Sequence, residues 1–389
     1  MRVRDKALKI VKLSLLVVLL LVVLTAFGCI GIRTSPEGGS GGTIADGTIF
    51  LCPALKQPGG FGCSAPVVEG ALVAVDISDG SRLWEADLES ATLSGSGFGC
   101  SAAAVPVAIY GSPVVVGELV YAAGYNGQVY AVNASSGALR WVYPRQGNLQ
   151  PIVGGMIAAL GSLYFGCADG SVYALDAETG DWQWEFETDD KIWATPTIDG
   201  ETLYIGSFDR CLYAIDAVTG EEIWQFATGG AIGSTPLVYN DTVYIGSFDR
   251  HFYALDAADG SLLWEFEAEK WFWTRAVAYN GIVYVGCFDG NVYALDAESG
   301  AEIARFELGS PLYSWPVLVD SRIIFATEEG AIYVIDTADN QVELLADLEE
   351  MVYAPLCASD GIVYIYSQEQ NLYAINVDSG ARLWSLPIN

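Results

Sequence analysis

Aromatic side chains recur at one position of a repeated segment, and the chemistry that they could provide is binding. The candidate residues are Tyr110, Trp193, Trp273, Tyr313, Tyr353, Trp271, Arg275 and Trp315. The first five occupy equivalent positions of the repeat, and the last three lie close by in the sequence. Placed around an axis, these side chains would line a recess for a peptide, a sugar or a small ligand. Alternatively, they only fill a wide axis or the gaps between repeats.

Residue types that carry catalysis are sparse. The single histidine, His251, stands at the start of a predicted strand where the preceding copy has Cys211, so we interpret it as an ordinary side chain near the surface. The sequence contains no nucleophile elbow, phosphate-binding loop or CxxC pair. Most aspartates are accounted for by turns. We therefore predict no catalytic residue and no metal site.

The cysteines fall into two groups. Cys63 and Cys100 stand in twin GFGCSA phrases, and we predict a disulfide that pins these two loops together. Cys167 and Cys287 occupy a repeat position that holds serine in two other copies. Because free cysteine behaves as a small apolar residue, we expect both to be buried.

The elements that position these residues belong to an eightfold repeat. The segment ALDAETGDWQW, residues 174–184, has seven variants along the chain. Evenly spaced copies begin at Ala174, Ala214, Ala254, Ala294, Val334 and Ala374, and two earlier copies begin at Ala74 and Ala131. A period of about 40 residues predicts a repeat architecture. We place the repeats near 44–90, 105–149, 150–189, 190–229, 230–269, 270–309, 310–349 and 350–389.

Each repeat reads as four short strands. Residues 190–229 contain four apolar runs rich in Ile, Tyr and Phe, which are separated by turn residues such as Asp199-Gly200 and Thr219-Gly220. A four-stranded sheet of this size cannot bury both faces alone, so it must stack on its copies. The sequence therefore predicts an all-β fold, an eight-bladed β-propeller of four-stranded antiparallel blades.

The motif A-x-D-x-x-T-G-x-x-x-W resembles the tryptophan-docking motif of the PQQ-like, or quinoprotein-type, eight-bladed propellers. The resemblance implies that the tryptophan of one blade docks on the next blade. The matching residues are Trp84, Trp141, Trp184, Trp224, Trp264 and Trp384. Two blades depart from the motif, since Ala304 and Leu344 replace the tryptophan and Asn340 replaces the glycine. We expect these two blades to pack less tightly, or against something else.

The family that the chain resembles has two kinds of member. One is the PQQ-dependent dehydrogenases, with a quinone and calcium on the axis. The other is the BamB-type lipoproteins of outer-membrane assembly, which bind no cofactor. The chain is closer to the second, because eight minimal blades leave no extra segments and no adjacent cysteine pair occurs. We expect a noncatalytic protein-binding scaffold without a cofactor. The alternatives are a dehydrogenase-like enzyme using PQQ with calcium, and a ligand- or carbohydrate-binding surface sensor.

The N-terminal residues predict export. A basic start and the apolar run of residues 13–28 indicate a signal peptide over 1–28, followed by Cys29. The order resembles a bacterial lipoprotein processing site and implies lipidation of Cys29. The alternative is an uncleaved helix over residues 13–32, long enough to cross a bilayer. We predict a flexible tether over 29–43 and the propeller over 44–389, outside the cytoplasm and anchored to a bacterial membrane.

Charge limits the partners. The 48 acidic residues outnumber the 18 basic ones, for a formal net charge of -30. A surface this negative repels phosphate backbones, so nucleic acid is excluded as a partner. We expect a monomer whose partners are other envelope proteins or peptides, bound on a loop face, at an exposed strand edge or in the axial recess.

Overall fold

A computed structural model describes residues 40–56, 68–88 and 107–388. They form eight antiparallel sheets, and the predicted eight-bladed β-propeller is confirmed. The predicted signal peptide, Cys29, the tether up to residue 39, Cys63 and Cys100 lie outside the described residues. No helix in the described part of the chain is both long and apolar enough to cross a bilayer.

The first four blades are formed by β1 to β17. Blade 1 contains β1 (Thr43–Ala45), β2 (Thr48–Leu51), β3 (Ala54–Lys56), β4 (Val68–Asp76) and β5 (Arg82–Leu88). Blade 2 contains β6 (Val114–Val116), β7 (Leu119–Ala123), β8 (Val129–Asn133) and β9 (Leu139–Tyr143). Blade 3 contains β10 (Met156–Ala159), β11 (Ser162–Gly166), β12 (Ser171–Asp176) and β13 (Trp182–Glu187). Blade 4 contains β14 (Thr197–Asp199), β15 (Thr202–Gly206), β16 (Cys211–Asp216) and β17 (Glu222–Ala227).

The last four blades repeat the same order. Blade 5 contains β18 (Leu237–Tyr239), β19 (Thr242–Gly246), β20 (His251–Asp256) and β21 (Leu262–Glu267). Blade 6 contains β22 (Val277–Tyr279), β23 (Ile282–Gly286), β24 (Asn291–Asp296) and β25 (Glu302–Glu307). Blade 7 contains β26 (Val317–Val319), β27 (Arg322–Ala326), β28 (Ala331–Asp336) and β29 (Gln341–Asp347). Blade 8 contains β30 (Cys357–Ser359), β31 (Ile362–Tyr366), β32 (Asn371–Asn376) and β33 (Arg382–Pro387).

Burial along the strands explains the sequence pattern of a blade. In blade 4, β15 and β16 are buried almost throughout, because the sheet packs against neighbouring blades on both faces. Such strands read as continuous apolar runs. The outer strand β17 alternates exposed and buried side chains, as a strand with one solvated face does. The core therefore lies between the blades, not within any one of them.

The first strand of each blade is shorter than the sequence indicates. In blade 4 the first apolar run of the sequence spans residues 192–198, but β14 begins only at Thr197. The amide of Ile192 donates to Cys167 O at 3.0 Å, and the carbonyl of Lys191 accepts from the Phe208 amide at 3.0 Å. This segment therefore bonds to hairpins of blades 3 and 4, so Trp193 lies in an irregular stretch that approaches the axis before the strand starts.

Blade 1 also differs from the prediction of four strands. Its insertion adds β3, which pairs with the start of a lengthened β4. Gly70 pairs with β3 on one side and with β5 on the other. β2 and β3 pair with different parts of the same edge of β4, and β5 pairs with the opposite edge. The blade therefore has five strands, because two short strands share the edge that a single strand occupies in the other blades.

Six junctions between blades hold an indole against a glycine. Trp224 is typical: its Nε1 donates to Ala257 O at 3.0 Å, and its ring lies over Gly260. A Cβ on Gly260 would meet Trp224 Cε3 at 2.6 Å, and Gly260 has a φ of +72°. The position therefore requires glycine for both space and backbone conformation. The six pairs are Trp84 with Gly137, Trp141 with Gly180, Trp184 with Gly220, Trp224 with Gly260, Trp264 with Gly300, and Trp384 with Gly80.

The junction between blades 7 and 8 uses different chemistry. The β-bulge of blade 7 lies between Ile332 and Tyr333, whereas in the other blades it lies close to the turn. The shift turns Leu344 outward, with 56% of its surface exposed. Arg322 takes over the contact, since its guanidinium donates to Val377 O at 3.3 Å and to the Asp378 carboxylate at 2.6 Å. A cavity of about 320 Å³ remains beside these residues.

The ring closes between blade 1 and blade 8, and neither blade contributes a described strand to the sheet of the other. The described strands of blade 1 precede residue 89, and those of blade 8 follow residue 356. The seam is held by side chains: Trp384 Nε1 donates to Ile77 O at 3.2 Å, and Arg82 Nη2 donates to Ile388 O at 2.8 Å. The indole of Trp384 also lies over Gly80.

The motif aspartate makes the turn sensitive to acid. Asp216 Oδ1 accepts hydrogen bonds from the amides of Val218 and Thr219, at 3.0 and 2.8 Å, and these bonds lower the pKa of Asp216. A carboxylate whose pKa is lower in the folded state than in the unfolded state stabilises the fold at any pH above its unfolded-state pKa. This stabilisation is lost as the pH falls through the folded-state pKa. We expect the wild type to have a larger free energy of unfolding, measured by urea titration, than Asp216→Ala. This difference should be constant from pH 7 to about 5 and should shrink below pH about 4. A difference that grows on acidification would contradict this assignment.

Candidate functional site

A cavity of about 450 Å³ lies where the irregular segments before the first strands converge. We call it the axial cavity. It is lined by Tyr110, Gly111, Ser112, Val153, Gly154, Gly155, Trp193, Thr195, Gly233, Thr235, Phe248, Trp271, Trp273, Phe288, Tyr313, Trp315, Tyr353 and Pro355. Of the eight residues singled out from the sequence, seven line this cavity. Arg275 does not.

Two positions of the repeat supply most of the residues that line the cavity. One is the position of Trp193, where other blades have Trp273 or Tyr313. The second lies two residues later and forms what we call the inner ring: Ser112, Gly155, Thr195, Thr235, Arg275, Trp315 and Pro355. Two adjacent members of the inner ring are hydrogen-bonded, since the Gly155 amide donates to Thr195 Oγ1 at 2.7 Å. Four members also line a second cavity of about 240 Å³, so the inner ring separates two axial spaces.

A continuous series of aromatic rings, all of which line the cavity except Phe208, forms one side of it. We call this series the aromatic wall: Trp193, Phe208, Phe248, Trp271, Trp273, Phe288, Tyr313 and Tyr353. Neighbouring ring centroids are 4.4 to 5.9 Å apart, from Phe288 and Tyr313 at the short end to Phe248 and Trp271 at the long end. These spacings are favourable for aromatic pairs, so each ring holds the next in place.

Glycines on blades 2 and 3 leave the opposite side open. A Cβ on Gly111 would meet Gly155 Cα at 2.4 Å, and one on Gly154 would meet Ala194 O at 2.5 Å. Backbone therefore packs against backbone here, and these glycines extend no side chain into the space that faces the aromatic wall. The cavity is consequently asymmetric, with the aromatic wall on one side and, beside Tyr110 and Val153, mostly main chain on the other.

The aromatic wall includes residues that the sequence interpretation missed. Phe248 and Phe288 come from the hairpins between the second and third strands of blades 5 and 6. Phe208 occupies the same place in blade 4 and contacts Trp193, with the centroids 4.7 Å apart. Their recurrence at one repeat position was a signal in the sequence. Each of these phenylalanines precedes an aspartate, so the local sequence predicts only a hairpin turn, although these hairpins extend toward the axis.

Polar contacts in the aromatic wall are few. Tyr353 donates to Glu328 Oε1 at 3.0 Å, and burial together with this carboxylate raises the pKa of Tyr353 to about 12. The Lys191 ammonium lies 4.5 Å from the Trp193 ring centroid and 4.6 Å from that of Phe208, as a cation–π pair. Trp193 Nε1 is buried without a hydrogen-bond partner among the described residues.

Arg275 is unlike the other members of the inner ring. It stands between Thr235 of blade 5 and Trp315 of blade 7, and it is partly buried. Desolvation lowers the pKa of its guanidinium. Within the described residues no carboxylate lies at ion-pair distance from Arg275. A cation removed from water without a counter-ion is costly.

The cysteines and the histidine lie away from the lining. Cys287 Sγ donates to Lys270 O at 3.3 Å, the same place in the repeat where Ser247 Oγ donates to Gly230 O at 3.2 Å. His251 begins β20, with its Nδ1 3.2 Å from Asp249 O. Neither the described thiols nor the imidazole is placed to act on a molecule in the axial cavity.

Burial should make four thiols unreactive in the native protein. It raises the pKa of Cys52, Cys167, Cys287 and Cys357 to about 12. Since the thiolate is the reactive form, we expect alkylation at pH 8 to be slowed by about a thousandfold relative to the unfolded chain. Peptide mass spectrometry after iodoacetamide would measure each site separately, with the less buried Cys211 as the control. Rapid native labelling of Cys167 or Cys287 would contradict the burial.

The lining does not fit a quinone–calcium pair. Calcium takes six to eight oxygen ligands, carboxylates prominent among them, and none of the described residues that line the axial cavity is Asp or Glu. Across the described residues there is also no group of three or more His, Cys, Asp or Glu side chains that could hold a metal ion. The cavity is suited to apolar and aromatic contact.

Comparison with known proteins agrees with the fold. A family model described as outer membrane protein assembly factor BamB matches residues 65–191, 168–287 and 288–387. A search of curated proteins gave no significant match. Among solved structures, BamB from Moraxella catarrhalis is 18% identical, with 85% of this chain and 91% of that chain covered at a TM-score of 0.67. The computationally designed Ika8 protein is 16% identical, with 91% and 98% covered at a TM-score of 0.69.

At these identities the two structures show a shared fold and nothing finer. The family model is the stronger finding, because its matches together extend from residue 65 to residue 387 and so cover most of the chain. The propeller, its docked tryptophans and this match lead to one conclusion: the chain belongs to the family of the outer membrane protein assembly factor BamB.

Proposed function

We propose that the protein is a noncatalytic scaffold of the bacterial envelope, which helps to assemble envelope proteins by holding a polypeptide partner in the axial cavity. The observation that carries the proposal is the aromatic wall, which faces a recess whose described lining has no charged residue. Catalysis by proton transfer needs a positioned acid or base, and tyrosine is the only such residue type in that lining. Aromatic side chains instead supply large contact area at low entropic cost, as they do at the centres of protein interfaces.

A cofactor has no part in this proposal. Apolar side chains of an extended segment would pack against the rings, and main-chain groups of the segment would face the glycines of blades 2 and 3. A second candidate is a sensor that binds a sugar or another small ligand on the same rings. The polypeptide is favoured because the described lining has no Asp, Glu, Asn, Gln, Lys, Arg or His, and its side-chain hydrogen-bonding groups are hydroxyls and indole N–H groups only.

Membrane anchoring is the other half of the proposal. Lipidation of Cys29, or an uncleaved helix over residues 13–32, would hold the propeller at a membrane by the tether of residues 29–43. Mass spectrometry of the protein extracted from membranes distinguishes the two anchors. A lipid-modified Cys29 at the new N-terminus supports the first, and an intact Met1 rules it out.

The binding site can be tested by site-specific photo-crosslinking in the native host. Benzoylphenylalanine would replace Trp271, which lies on the aromatic wall and is 45% exposed. The matched control is the same replacement at Trp182, which is 55% exposed on the outer strand β13. We expect ultraviolet light to produce polypeptide adducts at position 271 and none at position 182. The adducts would be identified by mass spectrometry as envelope proteins.

Other outcomes would overturn the assignment of the site. Adducts at position 182 alone would move the partner to an exposed strand edge. Adducts that contain only sugar or a small metabolite at position 271 would favour the sensor. An absence of any adduct at position 271, in a protein that retains its normal level, would remove the axial cavity as a binding site.

A further inference from the structure

Arg275 is the basic residue of the inner ring, and the described residues give it no counter-ion. Five other arginines form ion pairs with carboxylates, most of them at the surface: Arg82, Arg145, Arg250, Arg305 and Arg322. Arg275 is desolvated, yet no hydrogen bond or ion pair joins it to any described residue. In a chain with 48 acidic residues, a desolvated arginine without a carboxylate is unexpected.

The repeat shows that packing does not demand an arginine here. Thr195 and Thr235 fill the same position in blades 4 and 5, in blades whose strands have the same bounds within the repeat. A threonine at position 275 would therefore preserve the ring while removing a desolvated charge. Retaining the charge makes physical sense if something outside the chain pairs with it.

A ligand in the axial cavity would contact the residues on either side of Arg275 in the inner ring. Both ring neighbours of Arg275, Thr235 and Trp315, line the cavity, although Arg275 itself does not, and Arg275 is partly buried. Lys191, at the edge of the aromatic wall, is also without an ion pair among the described residues, and its ammonium rests on two aromatic faces. One cation thus rests on a ring that lines the cavity and the other lies between two lining residues of the inner ring, while the described lining carries no carboxylate.

We propose that Arg275 binds the side-chain carboxylate of an acidic residue in the partner polypeptide, while the neighbouring aromatic or aliphatic residue of that segment packs against the aromatic wall. This proposal rests on the proposed function and names the chemistry of its partner. A guanidinium and a carboxylate form a charge-assisted, frequently bidentate hydrogen-bonded pair, which gives both energy and orientation. The rings alone would accept any apolar segment, so Arg275 supplies the selectivity.

The overall charge makes this selectivity sharper. With a net charge of -30, the protein surface repels acidic segments at long range. Charges more than about 8 Å apart are largely screened at physiological salt. An acidic residue is thus stabilised only where it reaches an unpaired cation at short range, and the axis is such a place.

The test uses three peptides that differ in one residue. Each is acetylated and amidated, carries a central phenylalanine in a glycine–serine background, and has Glu, Gln or Lys after the phenylalanine. Binding to the full-length protein is measured by calorimetry and by tryptophan fluorescence. We expect the Glu peptide to bind about tenfold more tightly than the Gln peptide, as for one charge-assisted pair, and the Lys peptide to bind most weakly.

Variants connect the preference to one residue. Arg275→Thr should bring the ratio of the Glu and Gln affinities close to one, and Arg275→Lys should retain a preference for Glu. Arg305→Gln is the matched control, because Arg305 pairs with Glu302 on the outer strand β25 and should leave the ratio unchanged. Melting temperatures of the variants, measured in parallel, show that each is folded.

The outcomes separate this proposal from the proposed function. Equal affinities for the three peptides, or a preference for Lys, would overturn the role of Arg275 and leave the cavity as a peptide site. A tenfold preference for Glu that survives in Arg275→Thr would also overturn it. No binding of any peptide would overturn both proposals.

Discussion

Replacement of Trp224 by alanine is expected to lower the free energy of unfolding by about 3–5 kcal/mol, the usual cost of removing a large buried aromatic side chain. The indole is nearly buried between blades 4 and 5, contacts Tyr204 and donates to Ala257 O. Its loss opens a cavity between two sheets and leaves that carbonyl with one donor fewer. Urea titration followed by circular dichroism measures the change.

Trp182→Ala is the control for this prediction. Trp182 has the same side chain in an outer strand, but 55% of its surface is exposed and it does not lie at a junction. We expect its replacement to change the free energy of unfolding by no more than about 0.5 kcal/mol. Similar losses for the two variants would show that the docked indoles do not hold the blades together.

Gly260→Ala is expected to cost about 2–4 kcal/mol, from a left-handed backbone conformation and an overpacked contact together. The new Cβ would lie 2.6 Å from the Trp224 ring at a φ of +72°. Gly200→Ala is the matched control, because Gly200 has a φ of +57° with no described atom within 4 Å of the added Cβ. It should cost only about 1 kcal/mol, which is the backbone contribution.

The double variant separates the two contributions at Gly260. In the Trp224→Ala background the contact with the indole no longer exists, so Gly260→Ala should cost about as much as Gly200→Ala. The resulting coupling between residues 224 and 260 is expected at about 1–3 kcal/mol. Additive effects would place the strain at Gly260 somewhere other than the indole.

The ring of blades could be predicted because its cause is visible in the sequence. A docked indole requires a glycine in the next copy, and both residues recur at fixed spacing in most repeats. Strands of blade interiors were recognisable for a similar reason, since burial on both faces makes them continuously apolar. In each case the residue types in one short segment are enough to predict the structural role of that segment.

Other features depended on contacts between distant residues. The place of Leu344 is set by a shifted bulge, and nothing next to it in the sequence shows that Arg322 takes over the junction. Trp193 lies outside a strand because its segment bonds to hairpins of two blades. The lack of a described partner for Arg275 follows from the positions of the carboxylates around it. Such properties depend on how the blades pack together, and no short sequence pattern predicts them.

Each blade is built from its own stretch of chain, including the two that meet where the circle closes, since no described strand of either joins the sheet of the other. Neighbouring blades contact each other only by packing of their faces, and most of these junctions contain the same contact of an indole with a glycine. A gene for such a molecule can be lengthened or shortened by whole repeats without rewiring any sheet. Substitutions in single copies, as in the seventh, then give individual junctions their own chemistry without changing the architecture.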